Sequence, residues 1–378
     1  MKLDADRLPF HRDRSEVSAE QYVRRLKLAL HESLKLRHSV YLDTKFWVNL
    51  RKFISGDSAF SRYAPLLDLL RLRVADGTLF CPISESTLSE LCKQDDPVTR
   101  AATTSLVDEL SLGVSLDVFH ERMKTEIACL PGFDLHAEFR LTHHQFAWTK
   151  VAFAFGANYP SQTAFDAATE RAVQKTFIDV SWNAKLSEIV GTLDMSERPS
   201  DSFESLATLV NDDNEAHALE RKSFKRTLEI SLSEAVDCAT PFAKKLLLQK
   251  FEKQLLRIAT NEEILQLNST ARQALLALLN YPQSQALLPT LHIYAALHAF
   301  VRWNKGQKLK PNDFHDFHHA CAALGYCDVF LTENTLKSHL TSANLKLDKF
   351  YDCKVVASVD EAIMAIDELQ HMTAADGE

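Results

Sequence analysis

The stretch Ser39-Val40-Tyr41-Leu42-Asp43-Thr44-Lys45-Phe46-Trp47-Val48-Asn49-Leu50 changes periodicity within a few residues. Ser39 to Leu42 is a short run rich in β-branched and aromatic side chains, the composition of a strand. From Lys45 to about residue 54 apolar side chains recur every three or four positions, which predicts a helix. Asp43 stands at the junction. An acid there can cap the helix, or it can be presented as a ligand beyond the carboxyl end of a strand.

Working outward, a further helix is predicted over residues 61–74, a turn at Asp76-Gly77, a strand over 79–83 and a helix over 86–92. Upstream, Ser18 and Gln21 have capping-box spacing, and Val23, Leu26, Leu30 and Leu34 share one face of a helix over 18–36. The same alternation returns near the end of the chain, with helices over 291–303 and 313–324, a strand over 329–332, a helix over 335–340, a strand over 354–357 and a helix over 359–369. Strands alternating with helices of this length predict an α/β fold with a parallel sheet covered by helices on both faces. The intervening residues read as mainly helical, with amphipathic stretches at 224–235 and 241–256, and with an acidic, Ser- and Pro-containing stretch at 196–214 expected to be a loop. The expected organisation is a helical extension (1–36), a first part of an α/β core (37–99), a helical insertion (100–289) and the second part of the core (290–378).

At 378 residues the chain is long enough for a full core, and 46% hydrophobic with 25% charged residues is an ordinary globular composition. The charged N-terminal stretch has no apolar segment of the kind a secretory signal needs, and no apolar run approaches the ~20 residues that span a bilayer, so a cytoplasmic protein without a membrane partner is expected. The seven Cys are scattered without a CxxC pair, as expected of small buried side chains in a reducing compartment. The net charge of −8 argues against a nucleic-acid partner only until it is divided. Residues 194–215 and 355–378 each carry −6, leaving +4 for the rest.

Acids recur at the sites a parallel sheet would place on one edge: Asp43; Glu90 in the helix after the second strand; Asp313 and Asp316 one turn apart; and Asp328, Glu333 and Asn334 flanking a strand. Each has a structural reading as a cap or a helix-dipole partner. Gathered together, the like charges oppose ionisation, and a divalent cation relieves that conflict. Hard oxygen donors suit Mg²⁺ or Mn²⁺, which activate water and assist displacement at phosphorus.

These residues resemble the PIN (PilT N-terminus) domain nucleases, which include VapC-like toxins. The resemblance rests on Val40-Tyr41-Leu42-Asp43, on Ile83-Ser84-x-x-Thr87-Leu88-Ser89-Glu90-Leu91, on Asp313-x-x-Asp316-x-x-x-Ala320-x-Ala322-Ala323 and on Asp328-Val329-Phe330-Leu331-Thr332-Glu333-Asn334. It covers residues 37–95 and 290–368. It implies a PIN-like parallel α/β core and a metal-dependent endoribonuclease, a toxin or defence effector, in which Asp43, Glu90 and Asp316 match the family's three acids. Asn334 stands where the family often has Asp; Glu333, Asp328 or Asp313 could supply the missing charge, and Thr332 could orient water or phosphate. A protein regulator or antitoxin and a homo-oligomer are further implied partners.

Basic residues flank the acidic motifs: Lys45, Arg51 and Lys52 after Asp43, and Arg302, Lys305, Lys308 and Lys310 before Asp313, with Trp47 and Trp303 interleaved. Lys and Arg on phosphates and aromatics under bases are what a single-stranded or structured RNA path needs, although a solvated lysine loop looks the same. Arg221-Lys222 and Lys225-Arg226 carry a weaker signal of the same kind. His315, His318 and His319, and His143-His144, could be ligands or packing. Two rival functions are a catalytically silent PIN-like scaffold that binds RNA or protein, and a structure-specific DNA nuclease.

Overall fold

The computed structural model describes residues 7–133, 141–192, 203–221, 223–304 and 307–375. The chain is mixed α/β, dominated by helices, with four strands of parallel sheet and one antiparallel pair. It divides into two compact units, one from Met1–Val118, His144–Arg198 and Ala357–Glu378, the other from Phe119–His143 and Pro199–Val356. Residues 100–289, read above as one insertion, are thus shared between both units.

In the first unit, β1 (His38–Leu42) pairs in parallel with β2 (Leu79–Phe80), His38 opposite Leu79 and Ser39 opposite Phe80. Val40, Tyr41 and Leu42 are fully buried, as expected for a strand covered on both faces. β2 is shorter than predicted because Cys81-Pro82 interrupts it: Cys81 N–H turns to the Leu110 carbonyl, and Ile83 pairs with Ser115 instead. Pro82 has no N–H to give a ladder. β3 (Val114–Leu116) and β4 (Trp148–Lys150) form the antiparallel pair, which helical periodicity did not suggest. The helix Ala19–Leu34 carries the predicted capping box, Gln21 N–H to Ser18 Oγ at 3.2 Å and Ser18 N–H to Gln21 Oε1 at 3.0 Å. Its Tyr22 donates to Asp179 at 2.5 Å, and His11 lies 2.7 Å from the same carboxylate.

In the second unit, β5 (Val329–Leu331) pairs in parallel with β6 (Lys354–Val356), Phe330 opposite Val355. The bulk of the unit is helical, with helices Phe119–Ala128, Phe224–Leu255, Asn261–Asn280 and Pro289–Trp303 packed through a core that includes Ile127, Val236, Ala239, Ala271, Leu275 and Leu291. The stretches 224–235 and 241–256 form one helix with Pro241 inside it. A proline there forfeits one backbone bond and disfavours helix just before it, at ~3 kcal/mol. Burial of Val236, Ala239 and Ala243 on either side of the proline offsets that cost. Of the stretch expected to be a loop, residues 196–202 lie outside the described residues, and the remainder belongs to helix Phe203–Ala216.

Gly325, just beyond helix Pro311–Ala323, permits a close approach: a Cβ there would stand 2.8 Å from Pro289 Cβ. Gly325→Ala is expected to destabilise the chain by ~1–3 kcal/mol through overpacking, seen as a lower urea midpoint with an unchanged slope.

All seven cysteines are free, four of them buried, but Cys92 and Cys129 are only half-buried and Cys238 is exposed. No helix among the described residues is long and apolar enough to cross a membrane.

Candidate functional site

The first unit assembles a compact acidic turn at the carboxyl end of β1. Asp43, 6% exposed, is the N-cap of helix Thr44–Ile54, and its Oδ1 accepts from Lys45 N–H at 3.0 Å. Glu90 projects from helix Glu85–Cys92, and Thr44 Oγ1 donates to its Oε2 at 2.5 Å. Because Asp43 and Thr44 are consecutive, this bond brings the Glu90 carboxylate to the turn that Asp43 caps. Beneath it, the Tyr41 hydroxyl lies 2.6 Å from Ser84 Oγ and 3.2 Å from Thr87 Oγ1, tying β1 to the start of the Glu90 helix through a buried polar bridge. Thr44 and Tyr41 were not singled out from sequence. The partner of each lies more than forty residues away, and no local spacing reports it.

In the second unit, Asp313 lies in the first turn of helix Pro311–Ala323 and accepts from Lys310 N–H at 2.8 Å, which is its capping role. Asp316 follows on the same helix, half-buried. Burial pushes the His339 pKa down, against the pull of the Asp313 charge, which places Asp313 beside helix Asn334–Leu340. Asn334 and Glu333 are exposed, and Thr332 is fully buried. Asp328 precedes β5, where its carbonyl accepts from Lys354 N–H at 2.8 Å, whereas Thr332 and Asn334 follow the strand. At ~3.3 Å per residue, Asp328 and Asn334 lie at opposite ends of β5 and do not share one site.

The expected basic path is only partly available. Arg302, with a side chain 8% exposed, is bound by Glu234, donates to Ser231 Oγ at 3.3 Å and lies 3.9 Å from Asp213. Arg221 donates to Asp213 at 2.7 Å and to Asn214 at 2.9 Å. Both guanidiniums are committed to ion pairs inside the unit. Lys305 lies outside the described residues, as does Lys222. Lys45, Lys308 and Lys310 are exposed, while Trp47 is fully buried and cannot stack on a base. Trp303 is 37% exposed, with its ring edge-on to Phe224.

No protein family, curated protein or solved structure compared with the chain matches it.

The histidines of helix Pro311–Ala323 take part in aromatic packing: His318 stacks on Phe119 at 4.7 Å and His315 meets Phe203 edge-on at 4.9 Å. Among the described residues no group of three or more His, Cys, Asp or Glu is arranged to hold a metal ion. The Asp43 turn offers two carboxylates, a donor set compatible with Mg²⁺ or Mn²⁺, which often take one or two carboxylates and complete their shell with water and substrate phosphate.

A separate buried carboxylate escaped the sequence reading. Glu126, fully buried, accepts from Thr290 N–H at 3.1 Å and from the Thr290 and Tyr326 hydroxyls at 2.5 Å each. Burial pushes its pKa up to about 7, against these hydrogen bonds and the charge of Arg122.

Proposed function

We propose that the chain is a metal-dependent endoribonuclease whose reaction centres on Asp43 and Glu90. The observation that supports this reading is the Thr44–Glu90 bond, which holds a second carboxylate at the turn capped by Asp43, at the strand end where parallel sheets present their ligands. Asp43 and Glu90 would hold Mg²⁺ or Mn²⁺, which when bound supplies an activated water and neutralises phosphate charge. Thr44 fixes the Glu90 carboxylate, the Lys45 N–H fixes that of Asp43, and the Tyr41 bridge holds the two elements together. The exposed Lys45, two residues after Asp43 in the same turn, is proposed as a phosphate contact.

A second reading, a catalytically silent PIN-like scaffold, is favoured by one observation: both carboxylates of the turn already accept hydrogen bonds within the unit. A third, a DNA nuclease, is separated by substrate. The purified chain incubated with single-stranded RNA, hairpin RNA and flapped DNA is expected to cut RNA with Mg²⁺ or Mn²⁺ and to stop with EDTA. Cleavage of DNA alone would establish the third reading. An inert chain that also fails to bind Mn²⁺ in titration calorimetry would establish the second.

A further inference from the structure

The first unit also carries a cleft of about 510 Å³ that includes neither Asp43 nor Glu90. It is walled by the end of helix Pro97–Ser111, by Lys150 at the close of β4 and by the junction between helices Ala167–Trp182 and Leu186–Thr192. Clefts of ~300–1,000 Å³ are the usual size for small-molecule sites.

Four charged side chains line it, and they are not equivalent. The acids are committed: Asp108 accepts from Leu186 N–H at 2.7 Å and Ser187 N–H at 3.0 Å, and Glu109 is paired with Arg71 through two bonds of 2.6 and 3.1 Å. The lysines are not. Lys150 Nζ donates to the Leu112 carbonyl at 3.0 Å, Lys185 is exposed, and neither ammonium has a carboxylate partner among the described residues. Burial pushes the Lys150 pKa down, so an anion that joins it restores interactions lost with water. Trp182 adds an aromatic wall.

We propose that this cleft binds a small phosphate-bearing ligand of nucleotide size, with Lys150 and Lys185 on the phosphate. Two ammonium groups without a carboxylate partner among the described residues match a phosphate monoester dianion, for which lysine acts as a point charge. This reading goes beyond the nuclease proposal and does not depend on it.

The test is titration calorimetry of the full chain with AMP, adenosine and inorganic phosphate. AMP is expected to bind at least about tenfold more tightly than adenosine, inorganic phosphate to compete with it, and Lys150→Met or Lys185→Met each to weaken AMP about tenfold. Lys185 is exposed, so its variant keeps the fold, which a thermal melt verifies. Equal binding of AMP and adenosine, no binding of AMP or phosphate at millimolar concentration, or undiminished binding by the double variant would each overturn the proposal.

Discussion

Asp43→Asn is expected to lose metal-dependent RNA cleavage by roughly a hundredfold or more while keeping its melting temperature. The two expectations come from two different properties of one side chain. As an N-cap, Asp43 uses an oxygen to accept from Lys45 N–H, and asparagine caps about as well as aspartate, so the helix start survives. As a metal ligand it uses its negative charge, which asparagine lacks. Glu90→Gln separates the same two properties, because the amide oxygen can still accept from Thr44. Thr44→Val removes the orienting hydroxyl and leaves both charges, so about a tenfold loss is expected, the usual scale for a residue that positions a ligand. Undiminished cleavage by Asp43→Asn and Glu90→Gln would refute the assignment, whatever the wild-type activity.

The second large effect concerns stability. Glu126→Ala removes the common acceptor of the buried Thr290 N–H and hydroxyl and of the partly buried Tyr326 hydroxyl, and opens a cavity. A loss of about 3–5 kcal/mol is expected. Glu126 also links stability to pH. Its folded pKa of about 7 lies above the ordinary 4.5, so the folded chain keeps a proton that the unfolded chain releases between these values. The resulting stabilisation is fully present below 4.5 and is lost as pH rises through about 7, some ~3 kcal/mol in all.

Other buried groups of the same unit bear on this. Tyr326 and Tyr351 are pushed well above the ordinary tyrosine value, chiefly by burial, and stay neutral across this window. Burial pushes His292 down to about 4 and His298 to about 3, so these lose stability in the opposite direction, as pH falls below the ordinary 6.5. The wild-type profile is therefore a sum. The difference between wild type and Glu126→Gln, from urea midpoints at a series of pH values, isolates Glu126 and is expected to shrink steadily between pH 4.5 and 7. A difference constant with pH would show that Glu126 does not titrate in that range.

Much of the fold could be read from local pattern because local pattern caused it. Val40-Tyr41-Leu42 is a buried strand, Ser18 and Gln21 do cap their helix, and the strands at 329 and 354 fall where alternation put them. The misses share a physical origin in contacts between distant residues. Helix Phe224–Leu255 runs through Pro241 because its neighbours bury it on both sides of the proline, and the β3–β4 pair joins segments separated by more than thirty residues. In the candidate site, Asp43 and Glu90 were visible as acids in motif context, but the Thr44 hydroxyl that bonds Glu90 was not. Arg302 reads as a substrate contact from its place among basic residues before Asp313, while Glu234 and Asp213, which engage it, arrive from remote helices. Glu126 had no signal at all, its partners lying 164 and 200 residues away.

The division of each unit among separate segments has a consequence for how the chain is made. Helix Val359–Ala375 packs on helix Ala64–Ala75, and Asp179 closes onto Tyr22 and His11, so the first unit joins its earliest residues to its last described helix. A nascent chain leaving the ribosome carries the first unit incomplete until residues 359–375 have emerged. Closing such long loops slows folding and leaves strand edges exposed to association in the meantime.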